Sequence, residues 1–375
     1  MSGIYIHIPF CRKNCSYCDF YFSLNKKHEP DFFNALRTEL ALRKNELQNE
    51  LIETIYLGGG TPSYASLEQL ERVFYWIYTS LPVAPHAEIT LEANPEDLNP
   101  AVLEKWKSLG INRLSIGVQS FEDKYLQLLN RSHTSKKVFE GLSYARRAGF
   151  ENISIDLIYG IPGMDLTEWE KQIDYFLDLS IPHLSGYALT VEKGTLLHHQ
   201  VKKGIIRMPE DEIFEEMFFL LIDKLEKAGY SHYEISNWAK PGMESKHNRS
   251  YWLGKKYAGF GPSAHSYDGL TIRKWNKPNL HQYIKNITEG NPWYETEKLS
   301  EKDRFNELIM TRLRTDVGVD NKHIKLKFPA YYDFFKQTAT KLLHENKLIY
   351  ENDFWRIPRH AKFITDGIIE EFFVV

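Results

Sequence analysis

The sequence predicts an α/β fold: a partial barrel of six β/α units, followed by a small helical module of winged-helix type. Three observations carry this expectation. Apolar β-branched runs and amphipathic stretches alternate strictly through the first half of the 375-residue chain, the order that builds a parallel sheet wrapped by helices. The strand candidates are aliphatic on one face and small or polar on the other. Beyond residue 297 the alternation gives way to helices and one hairpin.

The strands are expected at 3–9, 54–58, 87–93, 113–119, 152–158 and 183–190. Helical periodicity fills the gaps at 30–49, 65–81, 100–108, 122–130, 135–148 and 166–179. Six units fall short of the eight of a closed barrel. Along the strands, Ile4, Ile6 and Ile8 alternate with Tyr5 and His7, and Ile89, Leu91 and Ala93 with Thr90 and Glu92. Leu114, Ile116 and Val118 alternate with Ser115, Gly117 and Gln119, and Ile153, Ile155 and Leu157 with Ser154 and Asp156. Side chains alternate across a strand, so the aliphatic face meets the helices and the polar face lines an interior. A parallel sheet buried on both faces would be apolar on both. The polar face therefore predicts a ligand space. Glu92, Gln119 and Asp156 stand near strand C-terminal ends, where parallel α/β folds place their chemistry.

Residues 195–210 read as a loop and 210–229 as an amphipathic helix, with a Gly-, Tyr-, Trp- and His-rich stretch at 232–275. The last region reads as helices at 300–314 and 330–346, the hairpin "LIYENDFWRIP" and a final helix. The expected division is a barrel core at 1–195, an extension at 196–296 and an accessory module at 297–375.

With 42% hydrophobic and 14% aromatic residues the chain can bury a large core, and its net charge of −3 lacks the basic surplus of a nucleic-acid binder. No leader-like segment and no apolar run of about 18 residues is seen. The reading is cytoplasmic.

All three cysteines, Cys11, Cys15 and Cys18, lie in "CRKNCSYC" just after the first strand. An odd, clustered set is no disulfide framework and suits a reducing compartment. Thiolates bind soft metals, so zinc and iron–sulfur both stand open. Structural zinc wants four ligands, usually as two separated pairs, and no second pair exists. A 4Fe–4S cluster usually takes four cysteines, and with three one iron is free to hold a small-molecule chelate. "YLGGGTPS" (56–63) follows the second strand. It is neither a Walker A loop nor a dinucleotide fingerprint, but its glycines let backbone approach a ligand closely.

"CRKNCSYC" resembles the C-x3-C-x-aromatic-C signature of the radical S-adenosylmethionine (SAM) superfamily. The resemblance implies a radical SAM partial barrel in which the three cysteines hold a 4Fe–4S cluster. SAM would chelate the open iron, with Tyr17 near its adenine. "GGGTP" resembles the GGE-type motif of that superfamily, which implies SAM contacts at Gly59, Gly60 and Thr61. "YIHIPFC", "GGGTP", "LEANP", "GVQSF", "NRSH" and "DLIYGIPG" match, in order, the coproporphyrinogen-dehydrogenase-like branch. That match implies further SAM contacts at Tyr5, Glu92, Gln119, Arg131 and Asp156.

Within the branch, HemW-type heme chaperones and oxygen-independent coproporphyrinogen III dehydrogenases must be separated. The dehydrogenases carry a further cysteine two residues after the third, and here that position is Phe20. They have a long extension before the cluster, and here ten residues precede Cys11. "HNRSYW" (247–252) is similar to the H-N-x-x-Y-W motif of the HemW type, whose histidine is associated with heme. A neutral imidazole is an ordinary heme ligand, so His247 is the expected heme contact and His265 the second choice. The resemblance thus implies three cofactors: a 4Fe–4S cluster, SAM and heme. It implies heme-requiring acceptor proteins, membrane-bound respiratory enzymes among them. It also implies a low-potential electron donor, and a homodimer and peripheral association with the inner membrane are compatible with it. A third reading is a redox-sensing cluster protein without SAM chemistry. It predicts that SAM leaves the cluster's spectrum unchanged. No catalytic residue is named by the sequence.

Overall fold

The computed structural model describes residues 2–47 and 50–375. Six parallel strands form its centre: β1 (Ser2–Ile8), β2 (Ile52–Gly59), β3 (Val83–Ala93), β4 (Arg113–Gln119), β5 (Asn152–Tyr159) and β6 (His183–Ala188). They lie side by side in chain order and pair parallel throughout. Between them run α1 (Glu29–Arg43), α2 (Leu67–Ser80), α3 (Pro100–Ser108), α4 (Asp123–Leu128), α5 (Ser135–Arg147) and α6 (Leu166–Asp178). The expected helix at 30–49 ends earlier, at Arg43 with a short 3-10 turn behind it. Its last two residues, 48 and 49, lie outside the described residues.

The helices form where apolar residues recur at helical spacing. In α2, Leu70, Val73, Phe74 and Ile77 are buried. In α6 they are Trp169, Ile173 and Phe176, and Asp165 caps the helix by accepting the Glu168 N–H at 2.8 Å. The aliphatic strand faces meet these helices: Ile4, Ile6, Ile8, Leu114, Ile116, Val118, Ile155 and Leu157 have no exposed surface.

The segment at 195–210 departs from the expected loop. Residues 195–210 contain a helix, α7 (Leu196–Lys202), because Thr195 accepts the His198 N–H as an N-cap. Next comes α8 (Asp211–Lys227), then β7 (Ser231–Glu234) and β8 (Asn237–Ala239), which extend the sheet antiparallel beyond β6. The chain then crosses to the opposite edge through α9 (Lys246–Trp252). There β9 (Tyr257–Phe260) pairs parallel with β1, and β10 (His265–Tyr267), β11 (Ile272–Asn276) and β12 (Tyr294–Lys298) continue antiparallel. The six strands are thus the middle of a 12-stranded sheet that does not close. A buried network fastens the second edge. Glu39 of α1 accepts from Arg43, Asn276 and the Gly261 N–H, and from Tyr283 on α10 (Leu280–Thr288).

The last stretch holds α11 (Glu301–Leu313), β13 (Val319–Asp320), α12 (Asn321–Lys327), α13 (Tyr332–His344), β14 (Ile349–Glu351), β15 (Phe354–Arg356) and α14 (Thr365–Glu370). Ser300 and Asp303 cap α11 reciprocally, a capping box that marks a helix start. The module has its own core around Phe305, Ile309, Phe335, Leu342, Trp355 and Phe372. Among the described residues no helix is long and apolar enough to cross a membrane.

Candidate functional site

The cysteines sit in the loop that leaves β1 at the C-terminal end of the sheet. Backbone hydrogen bonds hold that loop. Cys11 N–H donates to Ser23 O (3.0 Å), Ser16 N–H to Leu129 O (3.0 Å), and Leu197 N–H of α7 to Ser16 O (2.7 Å). Arg12 reaches Asp97 at 2.6 Å, and Ser63 donates to the other oxygen of the same carboxylate at 2.6 Å. All three thiols are unoxidised and half-exposed. Arg131 Nη1 lies 3.3 Å from Cys15 Sγ, and Thr61 Oγ1 lies 3.5 Å from Cys11 Sγ. Burial pushes the Cys11 and Cys18 thiols up to about 11. Such thiols ionise only where a strong positive charge is supplied, and bound iron supplies one. Among the described residues no three His, Cys, Asp or Glu side chains converge as ligands of a single ion. An iron–sulfur cluster asks for another geometry, one thiolate on each of three separate irons.

Behind the loop opens a cavity of about 710 Å³, within the usual range for small-molecule sites. Its lining includes all three cysteines, Tyr17, Gly59, Gly60, Thr61, Glu92, Gln119, Arg131 and Asp156. The polar strand faces therefore do turn inward. Tyr5 is not among the lining residues. It stacks on Tyr56 at 6.1 Å, its hydroxyl 3.2 Å from His7 Nδ1.

Glu92 accepts from the Tyr56 hydroxyl (2.8 Å) and the Gly59 N–H (3.0 Å). Burial lifts its carboxyl to about 7, with the charge of Asp156 adding to the rise and the Tyr56 hydrogen bond opposing it. Burial also lifts Asp156, to about 6, opposed by Ser185, Arg113 and Arg131. Both acids are thus poised for a ligand carrying positive charge or hydroxyl donors. Arg131 donates to Asn94 Oδ1 (2.7 Å) and Gly117 O (2.8 Å), and its buried Nε has no protein partner. That orphaned donor suits an incoming carboxylate. Gln119 holds a left-handed backbone, φ 65°, at the end of β4, a strain that collects at ligand sites.

Gly59 is required by its geometry. Its φ is +108°, and a Cβ there would stand 2.6 Å from the His7 ring. Gly59→Ala is expected to cost about 1–2 kcal/mol for the left-handed backbone alone. It should also displace the N–H that holds Glu92, so thermal melting and SAM titration fall together.

The structure puts His247 far from the cysteines. It lies on α9, beneath the N-terminal ends of β2 and β3, where Glu88 accepts its backbone N–H at 3.0 Å. It is 1% exposed. Nδ1 is 2.8 Å from Thr54 Oγ1, and Nε2 is 2.7 Å from the Tyr251 hydroxyl. Burial drops the imidazole to about 3, so it is neutral. The expected heme contact at His247 does not match this: 247–252 is helical and both ring nitrogens already have partners. What His247 does touch is Tyr56, stacked at 5.1 Å, the residue that holds Glu92. His265, on β10, does not line the cavity either.

Several lining residues were not among the expected ligand contacts. Arg113, Ser115 and Ser185 carry the period-two signal that already singled out Gln119 and Asp156. Arg314, Lys362 and Phe363 come from the C-terminal module and also line the cavity. No local pattern could place them there.

Residues 5–176 match the model of the radical SAM superfamily, and 299–364 match the HemN C-terminal domain. The protein named heme chaperone HemW from Bacillus subtilis is 39% identical over 94% of this chain and 94% of its own length. That from Lactococcus lactis is 37% identical over 99% and 97%. This chain belongs to the radical SAM superfamily, in its HemW branch. Its fold is also that of coproporphyrinogen III oxidase (HemN) from Escherichia coli, described as a radical SAM enzyme. The two superpose with a TM-score of 0.86 at 23% identity, over 99% of this chain and 89% of the other. Members of the superfamily carry a 4Fe–4S cluster and SAM. The three thiols, two buried acids and the orphaned guanidinium suit that pair.

Proposed function

We propose that the protein is a heme chaperone of radical SAM type, which binds heme and passes it to heme-requiring proteins. The observation that carries this is the near-full-length similarity to two proteins named heme chaperone HemW. A second supports it against the coproporphyrinogen dehydrogenase reading. The position that bears a further cysteine in those enzymes is Phe20, 69% exposed at the rim of the cavity.

In this reading Cys11, Cys15 and Cys18 hold the cluster. Arg131 receives the carboxylate of SAM, Glu92 and Asp156 receive its hydroxyl and ammonium hydrogens, and Gly59, Gly60 and Thr61 bring backbone close. Tyr17 and Gln119 border the adenosine, and Tyr5 acts through Tyr56. Held there and reduced, the cluster would supply the electron for SAM cleavage, and the barrel's part would be to orient SAM and exclude water. The reading extends to a low-potential electron donor, to respiratory enzymes as acceptors and to a cytoplasmic protein that visits the inner membrane.

Anaerobic reconstitution with iron and sulfide, followed by hemin titration and a coproporphyrinogen III assay, tests it. The expected outcome is saturable heme binding, transfer to an apo-hemoprotein and no decarboxylation. Decarboxylation without heme binding would overturn the reading in favour of the dehydrogenase.

A further inference from the structure

The outer side of the cysteine loop forms a surface that the SAM site does not use. Two segments build it: residues 11–28, which hold the loop itself, and residues 190–207, which hold α7. Each has four lysines or arginines to a single acid, in a chain whose net charge is −3. Backbone joins them. Leu197 N–H of α7 donates to Ser16 O at 2.7 Å, and after the helix Ile205 N–H donates back to Gln200 O at 2.9 Å. On the other flank the Tyr64 ring meets both the Arg12 guanidinium (4.1 Å from its centroid) and the Lys26 ammonium (4.0 Å), which ties residue 26 to the loop.

The same two segments expose large apolar side chains. Phe20 is 69% exposed, Leu24 55%, Leu196 47% and Ile205 68%. Single exposed apolar residues are ordinary, but four on one pair of joined segments mark an interaction surface. Lys27, Lys193, Lys202 and Lys203 belong to the same segments. All four are exposed, and none makes an ion pair among the described residues. Apolar side chains beside unpaired charges of one sign are the anatomy of a transient protein–protein interface, and the sign selects an acidic partner.

The position of the surface says what that partner brings. It surrounds three half-exposed thiols, the ligands of a cluster that acts once it is reduced. Electron tunnelling falls steeply with distance, so a donor must dock over this loop and not elsewhere on the barrel. We propose that residues 11–28, with α7 and the turn after it, form the docking site of a small acidic one-electron carrier protein. One electron leaves the carrier, which is oxidised, and enters the cluster, which is reduced; no bond or proton moves. The inference rests on the reading that an electron donor reduces the cluster, and goes beyond it by assigning the surface and the sign of the partner's charge.

The test uses flavodoxin, an acidic flavoprotein, as the probe. Reconstituted full-length protein and its K27E/K202E/K203E variant are mixed anaerobically with reduced flavodoxin, and the cluster's visible absorbance is followed by stopped flow. Calorimetry reads the binding of oxidised flavodoxin to both. Dithionite, which needs no docking, is the control. At low ionic strength wild type should be reduced roughly ten- to a hundredfold faster than the variant, an advantage that salt removes. Flavodoxin binding should weaken in parallel, while dithionite reduces both proteins alike. The salt arm needs no substitution, so it stands even if the variant is unstable. A wild-type rate independent of salt, or a folded variant reduced by flavodoxin as fast as wild type, overturns the docking site. So does a variant that loses sedimentation with phosphatidylglycerol vesicles beside an unchanged flavodoxin rate, which would make the surface a membrane contact. If dithionite leaves the wild-type cluster oxidised, the electron-donor reading itself falls, and the docking site with it.

Discussion

Serine at any one of Cys11, Cys15 or Cys18 is expected to abolish cluster loading, leaving anaerobically reconstituted protein nearly free of iron and sulfide. A serine oxygen is a hard donor in a set that must be soft. No other cysteine exists to substitute, since the chain has only three. The loop itself should survive. It is held by backbone bonds to Ser23, Leu129 and Leu197 and by the Arg12–Asp97 pair, none of which uses a thiol. Iron and sulfide analysis beside far-ultraviolet circular dichroism separates the two effects. Full iron content in all three variants would falsify the assignment. In wild type, SAM should alter the electron paramagnetic resonance of the reduced cluster. An unchanged signal would leave the redox-sensing reading standing.

Glu92→Gln should weaken SAM binding about 10- to 100-fold, the value of one charge-assisted hydrogen bond, yet stabilise the ligand-free protein above neutral pH. The sign follows from burial. The folded-state pKa of Glu92 is about 7, above the usual carboxyl value near 4.3. The folded state therefore holds more protons between those values. Stability is fully present below the unfolded pKa and is lost as pH rises through about 7. Asp156, raised to about 6, adds to the same slope, so the two acids titrate as a pair. Together they should remove on the order of a few kcal/mol between pH 4 and 8. Glutamine at 92 removes one charge and relieves its neighbour, so the loss with pH should shrink. Urea unfolding at several pH values measures it. A variant with the wild-type pH slope would show that Glu92 carries no buried charge.

SAM should reverse the wild-type trend. A ligand with donors facing two half-protonated carboxyls expels their protons, and binding near pH 6–7 should release protons into buffer. Calorimetry in two buffers of different ionisation enthalpy reads this directly.

How much of this was legible depended on whether a residue's neighbours were close in sequence. The six strands, their polar faces and the cysteine loop rest on periods of two and on spacings of three or four residues. Glu92, Gln119 and Asp156 could be picked out one strand at a time, because a parallel sheet places the C-terminal end of every strand on one side. Arg113 was missed although it shares the face of Ser115 and Gln119. It begins its strand, at the end opposite the one where parallel folds collect their chemistry. α7 was missed because its N-cap, Thr195, stands inside a stretch that reads as loop.

His247 shows the opposite case. Its motif was plain, but its setting was not. Whether an imidazole meets a ligand or a tyrosine depends on residues 159 to 193 positions away. Thr54, Tyr56 and Glu88 surround it only because α9 crosses beneath the barrel on its way from one sheet edge to the other. Arg314 and Lys362 reach the cavity for a similar reason. Their module docks against β7 and α8, and nothing in its own sequence says so.

By itself, then, the amino-acid order determined the barrel, its inward polar faces and a sulfur set with one iron corner to spare, since these rest on backbone geometry and short spacings. Tertiary structure alone decided which conspicuous side chains are sealed and which are open. Burial is a property of packing between distant segments, and it closed both nitrogens of His247 while leaving the Nε of Arg131 and of Arg314 unpartnered at the cavity.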